Sequence, residues 1–234
     1  MPRGSKEICY EDVKLRILRM ELEPGVVLEE ASLAAHYALS RTPLREVLQR
    51  LAGEGYVTLA EHRGAKVASM DISVMRTFFQ TAPMIYASIS RLAAENRKPA
   101  QLTVLQNAQD QFAKYTQAGD AAATALANYR FHEVIGEMAR NVYLAASLNR
   151  LLIDHTRLSQ TFYRPKSVQD SALINQASAQ HEALIVAIDA QDAGRAAELT
   201  LQHWDLSRGR MERFVRPDPL PMDVVLPKDK THAI

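Results

Sequence analysis

The chain has 234 residues, 47% hydrophobic and 24% charged, which excludes wholesale disorder and suits one large domain or two modest ones. Its net charge is +1, and residues 1–70 balance ten Lys or Arg against ten Asp or Glu, so bulk charge does not announce a nucleic-acid binder. A single cysteine, Cys9, excludes an internal disulfide and any cysteine-built zinc site, leaving nitrogen and oxygen to hold a metal.

Up to about Met70 the elements are short and broken by Gly and Pro, whereas from Asp71 to about Phe214 long Ala- and Leu-rich helical patterns dominate. This divides the chain into residues 1–70, 71–214 and 215–234, the last an extended tail because prolines 217, 219, 221 and 227 forbid a continuing helix. In the first region, Ile8, Val13, Ile17, Leu18 and Leu22 fall near one stripe of a helix over Glu7 to Met20, ended by Pro24-Gly25. A short second helix spans Glu30 to Tyr37, and Ala38-Leu39-Ser40 forms a tight turn. Thr42-Pro43 then opens a third helix, read as a cap followed by proline at the first helical position. Leu44, Val47, Leu48 and Leu51 form its buried face, and Gly53 and Gly55 stop it. Residues 56–59 and 65–68 are β-type runs around a turn at Gly64. Helix, helix, turn, helix and hairpin make a winged helix-turn-helix. The second region divides into six helices, 72–96, 99–118, 120–140, 142–162, 169–190 and 193–214, whose lengths suit an all-α antiparallel bundle. The expected fold class is therefore mainly α.

Between Ser40 and Met70 the local balance is mildly basic, five cations against three acids. The N-terminal turn of the third helix projects Ser40, Arg41, Thr42 and Arg45, and this is the end of a helix-turn-helix that enters the major groove of double-stranded DNA. Arginine bonds guanine O6 and N7 bidentately, and a helix N-terminus attracts phosphate. His62, Arg63 and Gly64 at the hairpin tip bring a cation and a residue without a side chain close to the duplex. A solvated helix face is the plain alternative for Arg41 and Arg45, and the surrounding turn, helix and hairpin weigh against it.

Pro24-Gly25, the run Ser40 to Leu48, Leu51, Gly55-Tyr56-Val57 and Arg63-Gly64-Ala65 resemble the winged helix of the GntR family of bacterial transcriptional regulators, over about residues 10–69. Members of that family often carry an arginine in the short second helix that touches the DNA backbone. Here Glu30-Ala31-Ser32-Leu33 has none, which throws more of the contact onto Arg41, Arg45 and Arg63.

Seven histidines lie at positions 36, 62, 132, 155, 181, 203 and 232, four of them within the bundle. Asn128 and His132 are four apart and share a helix face. His181 precedes an inward stripe of Leu184, Ile185 and Ile188, and His203 lies among Leu199, Trp204 and Leu206. Three imidazoles with an oxygen-bearing fourth group are a normal set for a divalent ion, and bundle cores are where such sites are built. Zinc is the first expectation, with nickel or manganese as alternatives. The competing reading is that each is a core histidine bonded to a neighbour.

The bundle also resembles the FCD ligand-binding domain of the FadR subgroup, on Phe131-His132, Asn141, the run His181 to Ile185 with Ala187-Ile188, Asp192-Ala193, Ala196 and His203. The resemblance implies that His132, His181 and His203 hold a metal. Asn128 stands where metal-binding members have Asp, and Ala82 and Tyr86 stand where the first bundle helix usually has Arg and Glu. An asparagine ligand brings no charge, which implies weaker metal binding and a stronger pull on an anionic effector such as a small carboxylate. The stripe Leu148, Leu151, Leu152, His155, Leu158 and Phe162 points His155 into the bundle as a candidate effector contact. Arg157, with Arg164, is a candidate carboxylate partner, against the plainer alternative of a solvated side chain.

The function expected is a homodimeric, effector-responsive repressor on a pseudo-palindromic operator. No run approaches the roughly 18 to 20 apolar residues of a membrane span, and Met1 to Tyr10 has no signal-type core, so the expected location is cytoplasmic, without a membrane partner. Two alternatives come from other readings of the bundle. One is a metal-dependent hydrolase, weakened because Glu133 faces away from His132 and no other general base presents itself. The other is a regulator that binds an acyl ligand without metal.

Overall fold

The computed structural model describes residues 4–60 and 64–213. The order is α1 (Ser5–Leu18), β1 (Val27–Leu28), α2 (Glu30–His36), α3 (Arg41–Glu54), β2 (Val57–Ala60) and β3 (Gly64–Val67), then α4 (Ile72–Asn96), α5 (Pro99–Gln117), α6 (Ala121–Ala139), α7 (Val142–Phe162), α8 (Val168–Asp189) and α9 (Ala193–Arg213).

The first six elements form a winged helix with one strand more than the sequence pattern predicts. The sheet order is β1-β3-β2, with Val27 opposite Lys66 on one side of β3 and Thr58 opposite Lys66 on the other. Two residues are too short a run for alternation to reveal β1. Ser40, not Thr42, is the N-cap of α3, so Pro43 sits third in the first turn. A proline is harmless there for the same reason as at the first position, because the first four N–H groups of a helix have no intrahelical partner. Gly53 lies within the helix. Gly55 ends it at φ +91°, with its N–H on Ala52 O and Tyr56 N–H reaching back to Leu51 O at 2.9 Å. That left-handed cap is open to glycine at little cost. The apolar cluster beneath gathers Val13, Ile17, Leu44, Val47, Leu48, Leu51, Tyr56 and Val67.

The six bundle helices start and stop within two residues of their expected bounds. Their N-termini explain the agreement: the side chains of Asp71, Asp120, Asn141 and Ser167 each accept from first-turn N–H groups. Helix α4 runs unbroken through Pro83. The main apolar core joins all six bundle helices, α4 to α9, around Phe78, Ile89, Leu105, Phe131, Ile135, Leu152, Leu184 and Trp204. At Gly136 a Cβ would fall 2.5 Å from Leu148 Cδ2, so its absence lets α7 lie close against α6. No helix among the described residues is long and apolar enough to cross a membrane.

Candidate functional site

Two places carry the candidate residues. On α3, Ser40, Arg41, Thr42 and Arg45 are exposed while Leu44, Val47 and Leu48 are buried, as the 3.6-residue period requires. The Ser40 side chain makes no cap hydrogen bond. Arg45 is 70% exposed and only loosely paired, its Nε 3.8 Å from Glu30 Oε2, so its guanidinium is available to a ligand. Two other cations of the region are committed: Arg50 pairs with Glu7 and Glu54 and covers the Tyr10 ring, and Lys6 pairs with Glu46. Gly64 has φ +73° and opens β3. His62 and Arg63 lie outside the described residues.

The second place is the bundle centre. His132 from α6, His181 from α8 and His203 from α9 each bring a ring nitrogen within 4.8 Å of the others, and all three are buried. Gln109 from α5 places Oε1 2.9 Å from His181 Nδ1. Its amide nitrogen is used on Ser178, through O at 3.3 Å and Oγ at 3.0 Å, so the oxygen must face the imidazole. His181 therefore donates from Nδ1 and keeps a lone pair on Nε2. Gln180 Oε1 lies 3.1 Å from His203 Nδ1, where it accepts from an Nδ1–H. The two Nε2 atoms face each other at 3.3 Å. Two lone pairs at that separation repel unless a proton or a metal ion lies between them. Protonation is opposed: burial, then the neighbouring imidazoles, hold His132 and His181 well below the ordinary histidine range, and burial alone brings His203 down to about 4.

His132, whose ring lies 5.5 Å from that of His181 and 5.6 Å from that of His203, has a buried Nε2 with no hydrogen-bond partner, and Asn128 Oδ1, one turn earlier on α6, is likewise buried and unpartnered. An orphaned buried polar atom costs about 1–3 kcal/mol, so the one on His132, close to the facing Nε2 atoms of His181 and His203, marks a place that fits a cation. A set of three neutral imidazoles suits a divalent transition metal. Phe131 stacks on the His181 ring at 3.9 Å and helps fix its plane.

His155 on α7 stands next to the cluster, its ring 5.7 Å from that of His132, and outside the set of three. Tyr86 OH lies 2.7 Å from His155 Nδ1, and burial lowers the pKa of His155 to about 3. Tyr86, expected only as the loss of a polar anchor, supplies a hydroxyl at that place. Arg157 requires a correction. It lies two residues beyond His155, about 200° around the helix, and reaches neither solvent nor the histidines. Its side chain is fully buried, with Nη1 3.0 Å from Asp154 Oδ1 and Nη2 donating to Ala68 O at 2.8 Å. Arg164 is exposed. Glu133 pairs with Arg130 on the outer side of α6, as its helical position predicts. Gln109 and Gln180 escaped sequence reasoning, and for Gln109 no spacing signal exists, since it lies 72 residues from its histidine.

Comparison with known proteins agrees with both halves. The pattern of bacterial regulatory proteins of the gntR family matches residues 6–67, and that of the FCD domain matches residues 83–206. The HTH-type transcriptional repressor GlaR of Escherichia coli (strain K12) is 29% identical over 200 residues, covering 83% of this chain and 90% of that protein. The gluconate operon transcriptional repressor of Bacillus licheniformis is 24% identical over 227 residues, covering 89% and 85%. In structure, E. coli McbR/YncC superposes with a TM-score of 0.76 at 18% identity over 92% of this chain and 100% of that one, a likeness of fold. The two sequence relatives are named as transcriptional repressors and not as enzymes, which removes the hydrolase alternative. With its winged helix and histidine-centred bundle, the chain belongs to the GntR family of DNA-binding transcriptional regulators, in the branch that carries an FCD domain.

Proposed function

We propose that the protein is a homodimeric transcriptional repressor whose operator binding is set by a divalent metal ion and a small carboxylate held in the bundle. Arg41, Thr42 and Arg45 read base edges in the major groove, with the Ser40 hydroxyl and the N-terminus of α3 on the phosphates. His62, Arg63 and Gly64 form the wing contact. A dimer places two such helices on the half-sites of a pseudo-palindrome about one helical turn, or a multiple, apart. Repression is supported by the relatives named above.

The observation that carries the bundle half of this reading is the pair of facing Nε2 atoms of His181 and His203, both set as acceptors by glutamines. His132 and Asn128 complete the set that would hold the ion, with zinc favoured and nickel or manganese as alternatives. Such an ion, when bound, supplies positive charge and an open position for an anionic oxygen. All four donors are neutral, so the full charge is left for a carboxylate. A relative named for a gluconate operon fits a ligand of that class. Beside the donor set, Tyr86 fixes His155 as the hydrogen-bonding group on the effector side.

The test is metal content. Untagged protein stripped by a chelator and reloaded with zinc is expected to hold about one ion per chain. The double variant His132→Ala, His181→Ala is expected to hold none at unchanged helicity. Stoichiometric zinc in that variant would overturn the assignment. A wild-type protein that refuses the metal would favour the acyl-ligand reading.

A further inference from the structure

Helix α7 is buried continuously from Leu152 to Gln160, polar residues included, which an ordinary outer helix of a bundle is not. It has two working faces. Leu148, Leu152, His155 and Phe162 face the bundle, with His155 on Tyr86 and beside His132. Arg150, Ile153, Asp154, Arg157 and Gln160 recur at three- and four-residue spacing on another side, and that side meets the winged helix.

The second face grips the winged helix at several points. Ile153 is part of the winged helix's own apolar cluster. The Arg150 side chain fills the space that a Cβ on Gly55 would need, 2.5 Å from its Cδ. Gln160 Nε2 donates to Leu18 O, the last residue of α1, at 3.1 Å. Arg157 Nη2 donates to Ala68 O in the linker between β3 and α4. Asp154 divides its carboxylate between Arg150 at 2.8 Å and Arg157 at 3.0 Å. A buried ion pair is a poor source of net stability but a strong geometric constraint, and a planar guanidinium meets it in only one orientation.

We propose that Arg157 is a positioning residue: clamped between Asp154 and the linker carbonyl of Ala68, it fixes the winged helix on α7 and so lets that helix carry the state of the histidine cluster to the DNA-reading surface. The site's reading as a metal and effector centre, and the dimer, are those given under Proposed function. His155 and Arg157 ride on one rigid helix, so a ligand that shifts His155 also shifts the three grip points at Leu18, Gly55 and Ala68. A close-packed junction of this kind switches between discrete arrangements and does not deform smoothly.

The experiment compares the wild-type full chain with Arg157→Lys, which keeps the charge but not the planar two-way grip. DNA is selected from random duplexes with the wild-type protein. Affinity is then measured for a single half-site, for the selected operator, and for that operator with about 2 bp inserted between half-sites, which turns one of them by roughly a fifth of a helical turn. Each is measured with and without zinc, and zinc per chain is recorded. The wild type is expected to discriminate against the respaced operator by about tenfold or more and to show a zinc effect within the roughly 5- to 150-fold range of allosteric coupling. In Arg157→Lys both ratios should fall toward one, to within about threefold, while half-site affinity and zinc per chain stay unchanged. Retention of both ratios in the variant would overturn the proposal. If neither protein takes up zinc but the spacing discrimination still collapses in the variant, the positioning role stands and only the metal reading fails. Should Arg157→Lys not fold, Gln160→Leu, which cuts the tie to Leu18 O, is expected to move both ratios in the same direction by a smaller factor, and unchanged ratios there would likewise overturn it.

Discussion

The winged helix wears its polar chemistry outside, and the bundle keeps it inside. Among the described residues, every buried polar or charged side chain, from Ser90 to Ser207, belongs to the bundle. The winged-helix core is built of Val, Ile, Leu, Tyr, Ala and Cys9, while Ser40, Arg41, Thr42 and Arg45 stand in solvent. On the proposed function, the difference follows from the ligand. A duplex is long, charged and met at a surface, so recognition adds exposed groups to an ordinary apolar core. A small anion is held by withdrawing it from water, and the donors that meet it must be buried beforehand, some of them unsatisfied. In one region function and stability occupy different residues, while in the other they compete for the same ones.

The largest test of that contrast lies in the winged-helix core. Leu48 is buried and makes no polar contact, so Leu48→Ala should cost about 2–5 kcal/mol in urea or thermal unfolding of that region. Zinc uptake, measured below the melting temperature, should be unaffected, and a parallel loss of both would show that the two regions are not separable. Arg45→Ala comes next. It should leave the melting temperature in place, because the side chain is 70% exposed and weakly paired. It should weaken specific operator binding by about 1–3 kcal/mol if the guanidinium meets a base. Unchanged specific affinity by fluorescence anisotropy would remove Arg45 from the reading set.

The same contrast explains what the sequence made legible. Helix bounds in the bundle are legible because the breaks between helices are local signals, and caps such as Asp71, Asp120 and Asn141 each act within three residues of those breaks. The exposed set of α3 was readable because one period sorts Arg41, Thr42 and Arg45 from Leu44, Val47 and Leu48. His132, His181 and His203 were found as inward-facing residues, since each sits on an apolar stripe. The groups that tune them were not, because Gln109 and Tyr86 meet their histidines across 72 and 69 residues and nothing local distinguishes them. Arg157 shows the opposite failure. An arginine on a helix is usually solvated, and only the docking of a second domain onto α7 buries it, a tertiary fact with no trace in the helical period.

The smallest effect is the most discriminating, because it separates a ligand site from a core. In the metal-free protein His132 places an unpartnered Nε2 in a buried setting, and its ring is already held neutral by burial. Leucine has nearly the same volume and no polar atom. His132→Leu therefore removes a desolvation penalty of about 1–3 kcal/mol. Against this stand the edge contacts of the imidazole with Tyr86, Phe131 and His181, at centroid distances of 5.3, 5.4 and 5.5 Å. Such ring pairs contribute about 0.5–1.5 kcal/mol apiece at most, and leucine replaces part of that by packing. The two terms are of the same size, so the metal-free variant should stay within about 1 kcal/mol of the wild type, while zinc-dependent stabilisation disappears. A buried histidine serving only the fold gives the reverse: its loss destabilises the metal-free protein and leaves the response to zinc alone. Paired thermal melts with and without zinc read both at once, and a metal-free His132→Leu destabilised beyond that margin would place His132 with Leu48, as a core residue, and dissolve the distinction between the two regions.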